Sequence, residues 1–472
     1  MKPAKDNLSS TAKFSILFPI SLLTIIALLP MDALAEPGKN QDNINSATTF
    51  PNEPLLTDVI IGDSSCRIEW DKTPNIAGHN LYLKLEDETY KPLNSAIIKD
   101  SFVRITGLKN GTPYRFAITA INREGEESNA SETGLVIPVG FSHKVLPIPG
   151  GSSASDYRLF TNPFRAEKNS PKNIFSYFPV YDIKAWRLFS RERDGYKEFN
   201  DIPEIAPGRG YWLLTRKNSD IFLSGKTVNP YEPFTVQLHP GWNIIGSPYL
   251  FPVEWNEVVL HNKPNAGRTE SAAWEFVDGG FRKAASLQPF KGYYFYNGES
   301  EDVDFLIPPV PYSPISTIEV KNSNTSGING ISMFGENSWA LSLSAADGTY
   351  SDHDNVLGVI PNAETNGRAI YTVEPPSWPQ HLSLFFTEKG EEDNRLASDI
   401  RNSDGEWYAV VSGGENKKVT ISWETLKSGP IPLLIDTVSD KEVEMTGTGS
   451  YTFARKDLSP RKFIIRSKNS VQ

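Results

Sequence analysis

Cysteine is almost missing from this chain, with one in 472 residues. A lone thiol excludes an internal disulfide framework and a cysteine-rich zinc site. Histidine is scarce as well. The six are His79, His143, His239, His261, His353 and His381, and no two stand three or four apart. No helix can therefore present a histidine pair to a metal. Basic residues are outnumbered, 47 Lys and Arg against 57 Asp and Glu. That balance leaves no electrostatic footprint for nucleic acid. Neither a Gly-x-Ser-x-Gly elbow nor a Walker loop occurs, so nucleophile-elbow and P-loop chemistry have no signature. No cofactor is implied.

Long apolar runs are also lacking, except at the start. Lys2, Lys5 and Lys13 lead into an apolar run from Phe14 to Leu29, followed by Ala33-Leu34-Ala35. A basic region, an apolar region and small residues before a cut describe a secretory signal peptide over 1–35. The run is broken by Pro19 and is shorter than the roughly 20 residues that span a bilayer. No cysteine near the cut supports a lipid anchor. The expectation is a mature protein outside the cytoplasm (secreted, periplasmic or at the cell surface) with no integral membrane segment after cleavage. Residues 36–53, rich in Asn, Asp, Thr and Pro, read as a flexible linker.

What is abundant is aromatic and turn-forming: 25 Phe, 18 Tyr, 10 Trp, 34 Gly and 35 Pro. That mixture favours short strands and turns over long helices. The length fits several domains of roughly 100 to 200 residues. The expected fold class is all-β, with tandem β-sandwich domains. These must hold by their cores, without disulfides.

In residues 54–138 three runs alternate apolar and polar: Cys66, Ile68, Trp70; Leu81, Leu83, Leu85; and Tyr114, Phe116, Ile118, Ala120. Period two marks strands with one face inward. Around them stand Gly78, Tyr82, Leu108, Thr112, Asn122, Gly125 and Glu126. With Trp70 and Tyr114 these landmarks resemble the fibronectin type III pattern. The resemblance implies a seven-strand sandwich used as a spacer or binding module. Trp70 would fill the space between sheets, and Tyr114 would close a tyrosine corner near Leu108. Arg-Gly-Asp is absent, so integrin-type use has no support. Cys66 falls on the inward face and reads as an inert core residue.

Residues 150–309 repeat themselves. Asn162-Pro163-Phe164, Ala185-Trp186, Asp194-Gly195-Tyr196 and Gly210-Tyr211-Trp212 recur as Ser247-Pro248-Tyr249, Ala273-Trp274, Gly279-Gly280-Phe281 and Gly292-Tyr293-Tyr294. Nearly constant offsets predict a duplicated β unit, about 150–228 and 229–309, arranged in tandem or intertwined. The run Gly241-Trp242-Asn243-Ile244-Ile245-Gly246-Ser247-Pro248 resembles a motif of non-catalytic β modules in large bacterial secreted proteins. Trp186, Trp212, Trp242 and Trp274 lie in the shared landmarks and read as core. Trp255 lies outside them and is the candidate exposed ligand platform.

Residues 310–472 return to period two, at Trp339, Leu341 and Leu343, then Leu382, Leu384 and Phe386, then Trp407, Ala409 and Val411, and again at Leu433 and Ile435. About seven strands or more predict a further sandwich. Val373-Glu374-Pro375-Pro376, with Asp354-Asn355 upstream, is similar to C-terminal regions of bacterial surface and secreted proteins. Such regions often precede a sorting domain, and none is read here. Asp352, Asp354 and Asn355 form a candidate calcium loop, although the glycine and glutamate of an EF-hand are missing.

The function expected from these modules is non-catalytic interaction outside the cell or in its envelope, as adhesion protein, spacer or scaffold. Its partner would be an extracellular protein or a polysaccharide, and the molecule would be a monomer. The alternative is polysaccharide binding through the aromatics of 150–309. A hydrolase on a β scaffold is the third reading, and it needs two carboxylates about 5 to 10 Å apart in a cleft.

Overall fold

Alternation of apolar and polar residues builds the first sandwich from seven strands. They are β1 (Leu56–Gly62), β2 (Ser65–Trp70), β3 (Gly78–Lys84), β4 (Tyr90–Pro92), β5 (Phe102–Thr106), β6 (Arg115–Ile121) and β7 (Ser131–Glu132). The computed structural model describes residues 50–262, 272–277, 279–312, 337–361, 368–376, 381–388 and 391–467. The signal segment 1–35 and most of the leader lie outside the described residues. The strands form two antiparallel sheets, ordered β1-β2-β5 and β4-β3-β6-β7. Cys66, Ile68 and Trp70 of one sheet meet Leu81, Phe116 and Ile118 of the other.

Each sequence landmark here has a bond. The Trp70 indole donates to His79 Nε2 at 3.0 Å, and burial lowers the His79 pKa, which keeps that nitrogen an acceptor. The Tyr114 hydroxyl accepts the Lys109 N–H at 3.0 Å, forming the tyrosine corner. Asn122 Oδ1 accepts the N–H groups of Glu124 and Glu126 and shapes the last turn. Burial pushes the Cys66 thiol up to about 11, so it stays protonated and inert.

The duplicated region follows without a linker. Its first half holds β8 (Phe141–Ile148), β9 (Arg158–Thr161), β10 (Phe164–Arg165), the one-turn α1 (Pro171–Ile174), β11 (Trp186–Glu192), β12 (Gly195–Glu198), β13 (Gly210–Thr215) and β14 (Ser219–Thr227). The second holds β15 (Phe234–Leu238), β16 (Gly241–Gly246), β17 (Val253–Glu254), α2 (Trp255–Asn262), β18 (Trp274–Val277), β19 (Gly280–Lys283), β20 (Ser286–Leu287), β21 (Gly292–Asn297) and β22 (Val303–Ile307). Each half has a four-stranded sheet, ordered β12-β11-β13-β9 and β19-β18-β21-β16. Strand for strand these orders are the same. Each half also has a flanking pair, β8 with β14 and β15 with β22. Because β8 pairs with β14 along its whole length, the first half begins at Phe141 and not near residue 150.

Register also corrects one sequence equivalence. Trp212 pairs with Phe189, and Tyr294 pairs with Trp274. Phe189, not Trp186, therefore occupies the place of Trp274. Trp186 sits three residues earlier and enters the core of its own half.

The central strands are bulky on both faces because both faces are buried. Tyr211 and Leu213 point into the core of the first half, with Phe160 and Leu188. Trp212 points the other way, toward Ile244, Trp274 and Tyr294 of the second half. The halves exchange equivalent contacts: Phe160 bridges to Lys291, and Ile245 bridges to Arg209. That reciprocity is a pseudo-twofold arrangement. The two landmark glycines stand at its centre. A Cβ on Gly210 would lie 2.4 Å from Ile244 Cγ2, and one on Gly292 would lie 3.1 Å from the Phe160 carbonyl oxygen.

The last region is β23 (Trp339–Ala346), β24 (Ser351–Val359), β25 (Arg368–Val373), β26 (Ser383–Glu388), β27 (Glu391–Arg401), β28 (Glu406–Ser412), β29 (Lys418–Lys427), β30 (Leu433–Asp436), β31 (Lys441–Glu444), β32 (Thr448–Ala454) and β33 (Arg461–Arg466). They form one hydrogen-bonded sheet, ordered β31-β30-β33-β28-β26-β27-β24-β23-β29-β32, with β25 on β27. Its two arms, joined at the parallel pair β24–β27, share one core of Trp339, Leu384, Trp407, Ile421 and Phe463. In β30 the phase is opposite to the expectation. Leu434 and Asp436 face inward, and Leu433 and Ile435 do not. The buried Asp436 is tolerated because Arg461 binds both of its oxygens, at 2.9 and 2.6 Å, with Tyr451 adding a hydroxyl at 2.9 Å.

Neighbouring regions are docked on one another. Ile137, at the end of the first sandwich, lies in the core of the second half. The Tyr231 hydroxyl accepts the Ile137 N–H at 2.8 Å and donates to its carbonyl at 3.1 Å. At the other end, Ala397 of β27 joins the cluster between the halves. No helix among the described residues is long and apolar enough to cross a membrane.

Candidate functional site

Trp255 is not an exposed platform. It opens α2, is only 5% exposed, and packs on Phe295 and Phe305 with ring centroids 5.7 and 6.4 Å away. The helix seats it in the core of the second half, so neither ring face is free for a ligand.

Asp352, Asp354 and Asn355 do not converge on a common point. A bulge in β24, with Asp354 at φ +65°, sends the two carboxylates to different strands. Asp352 Oδ2 accepts the Leu384 N–H of β26 at 2.6 Å. Asp354 Oδ2 accepts the Lys283 N–H of β19 at 3.0 Å. Asn355 donates to Asp352 Oδ1 at 3.4 Å and to the His353 carbonyl at 3.3 Å. Among the described residues no three Asp, Glu, His or Cys side chains are grouped to hold a metal ion.

These groups form a joint between the second half and the last sandwich. Glu374, within a motif noted for other reasons, is its missed member. It is buried and accepts the Ser383 hydroxyl at 3.0 Å. Burial pushes the Asp352 carboxyl up to about 7, against its hydrogen bonds from Leu384 and Asn355. Burial, with Asp352 nearby, raises Glu374 well above the usual range. His381 of the same joint is driven down to about 4 by burial. The arrangement can store a proton between two carboxyls. Both are shut away from solvent, so they do not form the open carboxylate pair that glycoside hydrolysis needs.

A second feature follows from the pseudo-twofold axis. In the β18–β19 hairpin Phe276 and Phe281 pair across the strands. His381 covers them, with centroid distances of 6.4 and 6.3 Å. In the equivalent β11–β12 hairpin the paired residues are Arg191 and Tyr196, and Tyr196 is 45% exposed. Beside it Trp242 and Tyr296 are half-buried. Of the five tryptophans in this region Trp242 alone is partly exposed; Trp186, Trp212, Trp255 and Trp274 are buried. Trp242 packs against the cluster between the halves, as expected of a core residue, but stands at its edge. Trp242 meets Tyr294 at 5.8 Å and Tyr296 at 5.2 Å, both edge-on. The Tyr196 and Tyr294 hydroxyls are hydrogen-bonded to each other, and Tyr294 also accepts the Trp212 indole N–H at 2.9 Å.

No family model matches this chain. Among solved structures similar to it is the crystal structure of FN3tt, 28% identical, spanning 19% of this chain and 98% of that one, with a TM-score of 0.17. The fibronectin type-III domain of human fibronectin type III domain containing protein 3 is 25% identical, over 21% of this chain and 94% of its own length, with a TM-score of 0.16. The chicken CNTN1 FN1–FN3 domains are 14% identical over 55% of this chain and 99% of theirs, with a TM-score of 0.18. The fibronectin type III-like character of residues 54–138 rests on their own geometry: two sheets of three and four strands, a core tryptophan and a tyrosine corner.

Proposed function

We propose that this protein is a non-catalytic interaction scaffold that works outside the cytoplasm. The observation that carries the reading is how its β modules are joined. Ile137 of the first sandwich is part of the core of the next module, and Asp354 of the last sandwich hydrogen-bonds the hairpin of the second half. Modules joined through shared cores hold their surfaces at a set spacing, which suits a scaffold better than a flexible tether. The first sandwich offers a surface for a protein partner. Leu85, Tyr90, Leu93 and Ile97 are exposed along edge strand β4 and its flanks, and exposed apolar edges are typical sites of strand pairing or docking. The signal-like start of the sequence supports export.

The test is an epitope-tagged protein recovered from cell fractions, with cross-linking mass spectrometry on the intact chain. The expected result is an exported protein shortened after Ala35, with one partner cross-linked repeatedly near Lys84 and Lys91. Retention in the cytoplasm at full length would contradict the reading. So would turnover of glycosidic, ester or peptide substrates by the purified protein.

A further inference from the structure

We propose that the aromatic cluster Tyr196, Trp242 and Tyr296, which reaches the surface, binds a saccharide. The two ends of the pseudo-twofold joint were built alike and are used differently. At one end the paired aromatics Phe276 and Phe281 lie beneath His381 and Tyr350 of the last sandwich, and the Ser351 carbonyl closes over Gly280, 2.5 Å from where a Cβ would stand. That end is already occupied by protein. At the other end the same two places carry Arg191 and Tyr196, with Trp242 and Tyr296 alongside.

The chemistry of the open end fits a sugar ring. Indole and phenol rings offer flat faces to the C–H face of a pyranose, while their edges remain polar. The same aromatics carry polar edges. Tyr294 accepts from the Trp212 indole and shares a hydrogen bond with Tyr196 in which either hydroxyl can donate. Trp212, Tyr294 and Tyr196 thus form one hydrogen-bonded chain that reaches the surface at Tyr196 and holds its ring in place. Burial raises Tyr294 well above its ordinary pKa, with Tyr196 adding to the effect, so Tyr294 stays neutral. The Arg191 guanidinium lies over one face of the Tyr196 ring at 5.2 Å and braces it. A protein strand like the one on the twin end is the poorer occupant, because the apolar pair that receives it there is replaced here by polar residues.

This inference stands apart from the scaffold reading and can fail without it. The test uses the mature chain, residues 36–472, titrated by calorimetry with cellohexaose, maltohexaose, xylohexaose, laminarihexaose and chitohexaose. Acrylamide quenching of tryptophan is followed in parallel. The expected result is saturable binding of at least one hexasaccharide, with Trp242 shielded from quencher. Tyr196→Ala and Tyr296→Ala should each weaken that binding about tenfold or more, as loss of a stacking ring does. Both sites reach the surface, so these variants keep the fold, and unchanged circular dichroism checks this. Trp255→Phe, in the core, should leave affinity unchanged. No binding by any of the five sugars in the millimolar range would overturn the proposal. Binding indifferent to both tyrosines would also overturn it, and so would a protein partner lost in Tyr196→Ala while no sugar binds.

Discussion

The two halves of the duplicated region have the same strand order and the same tyrosine latch, yet opposite surroundings. Tyr211 accepts the Ala206 N–H at 3.0 Å, and Tyr293 accepts the Gln288 N–H at 2.8 Å. Each reaches back five residues. Trp212 and Tyr294, at equivalent places, are bonded to each other across the axis. The halves diverge at their hairpins. One is covered by the last sandwich and carries phenylalanines; the other faces solvent and carries Arg191 and Tyr196. What a position needs for folding is shared between the halves, and what it needs for its neighbours is not.

The largest test of this comparison is at the axis. Trp212→Ala should cost about 3–5 kcal/mol, the range for truncating a buried aromatic, measured by urea unfolding. The glycines sharpen it. Gly210→Ala meets Ile244 Cγ2 at 2.4 Å and the Ile245 carbonyl oxygen at 2.9 Å, whereas Gly292→Ala meets its nearest atom at 3.1 Å. Gly210→Ala should therefore cost about 2–3 kcal/mol and Gly292→Ala about 1, as overpacking does. Equal costs would show that the halves do not pack as described.

The covered hairpin brings a pH dependence that the open one lacks. Asp352, raised to about 7, and Glu374, also raised, keep protons in the folded protein that the unfolded chain releases near pH 4. Stability from this pair is therefore lost as pH rises from about 4 to about 7. His381, lowered to about 4, opposes it, because the unfolded chain takes up a proton below about 6.5 that the fold refuses. Glu374→Gln should stabilise the protein at pH 8 and flatten the acid-side rise. Thermal unfolding between pH 4 and 8 would read this. A variant less stable at pH 8 would mean that the carboxyl is held ionised by a cation.

The smallest effect is at the latches. Tyr293→Phe leaves the Gln288 N–H without its acceptor, at about 1–2 kcal/mol. Tyr211→Phe removes the acceptor of the Ala206 N–H and also the donor to the Glu204 carbonyl at 3.0 Å, so urea unfolding should show the larger loss there.

Much of this was legible in the sequence. Period two gave the strands, and the landmarks of the first sandwich proved to be its core tryptophan, corner tyrosine and turn asparagine. The repeat was visible because residues at a pseudo-twofold axis must satisfy the same constraint twice; hence the glycine before each Tyr211 or Tyr293. Other features were hidden because they depend on distant chain. Trp242 and Tyr157 hold equivalent places, but only Trp242 is partly exposed, and which end becomes covered is decided by residues a hundred positions later. Glu374 joins Asp352 through folding of β24 against β26, with no local signal. Asp436 reversed the apparent phase of β30 because its partner, Arg461, lies 25 residues on.

The claim that the duplicated region is one intertwined body can be tested most directly by native-state hydrogen exchange of the intact chain. Strands β13 and β21 carry the reciprocal contacts. The account predicts that their amides open with the same free energy and respond together to Trp212→Ala, because neither half can open while the other stays closed. If β21 keeps its protection while β13 loses it, the halves are independent modules in tandem and the account is wrong.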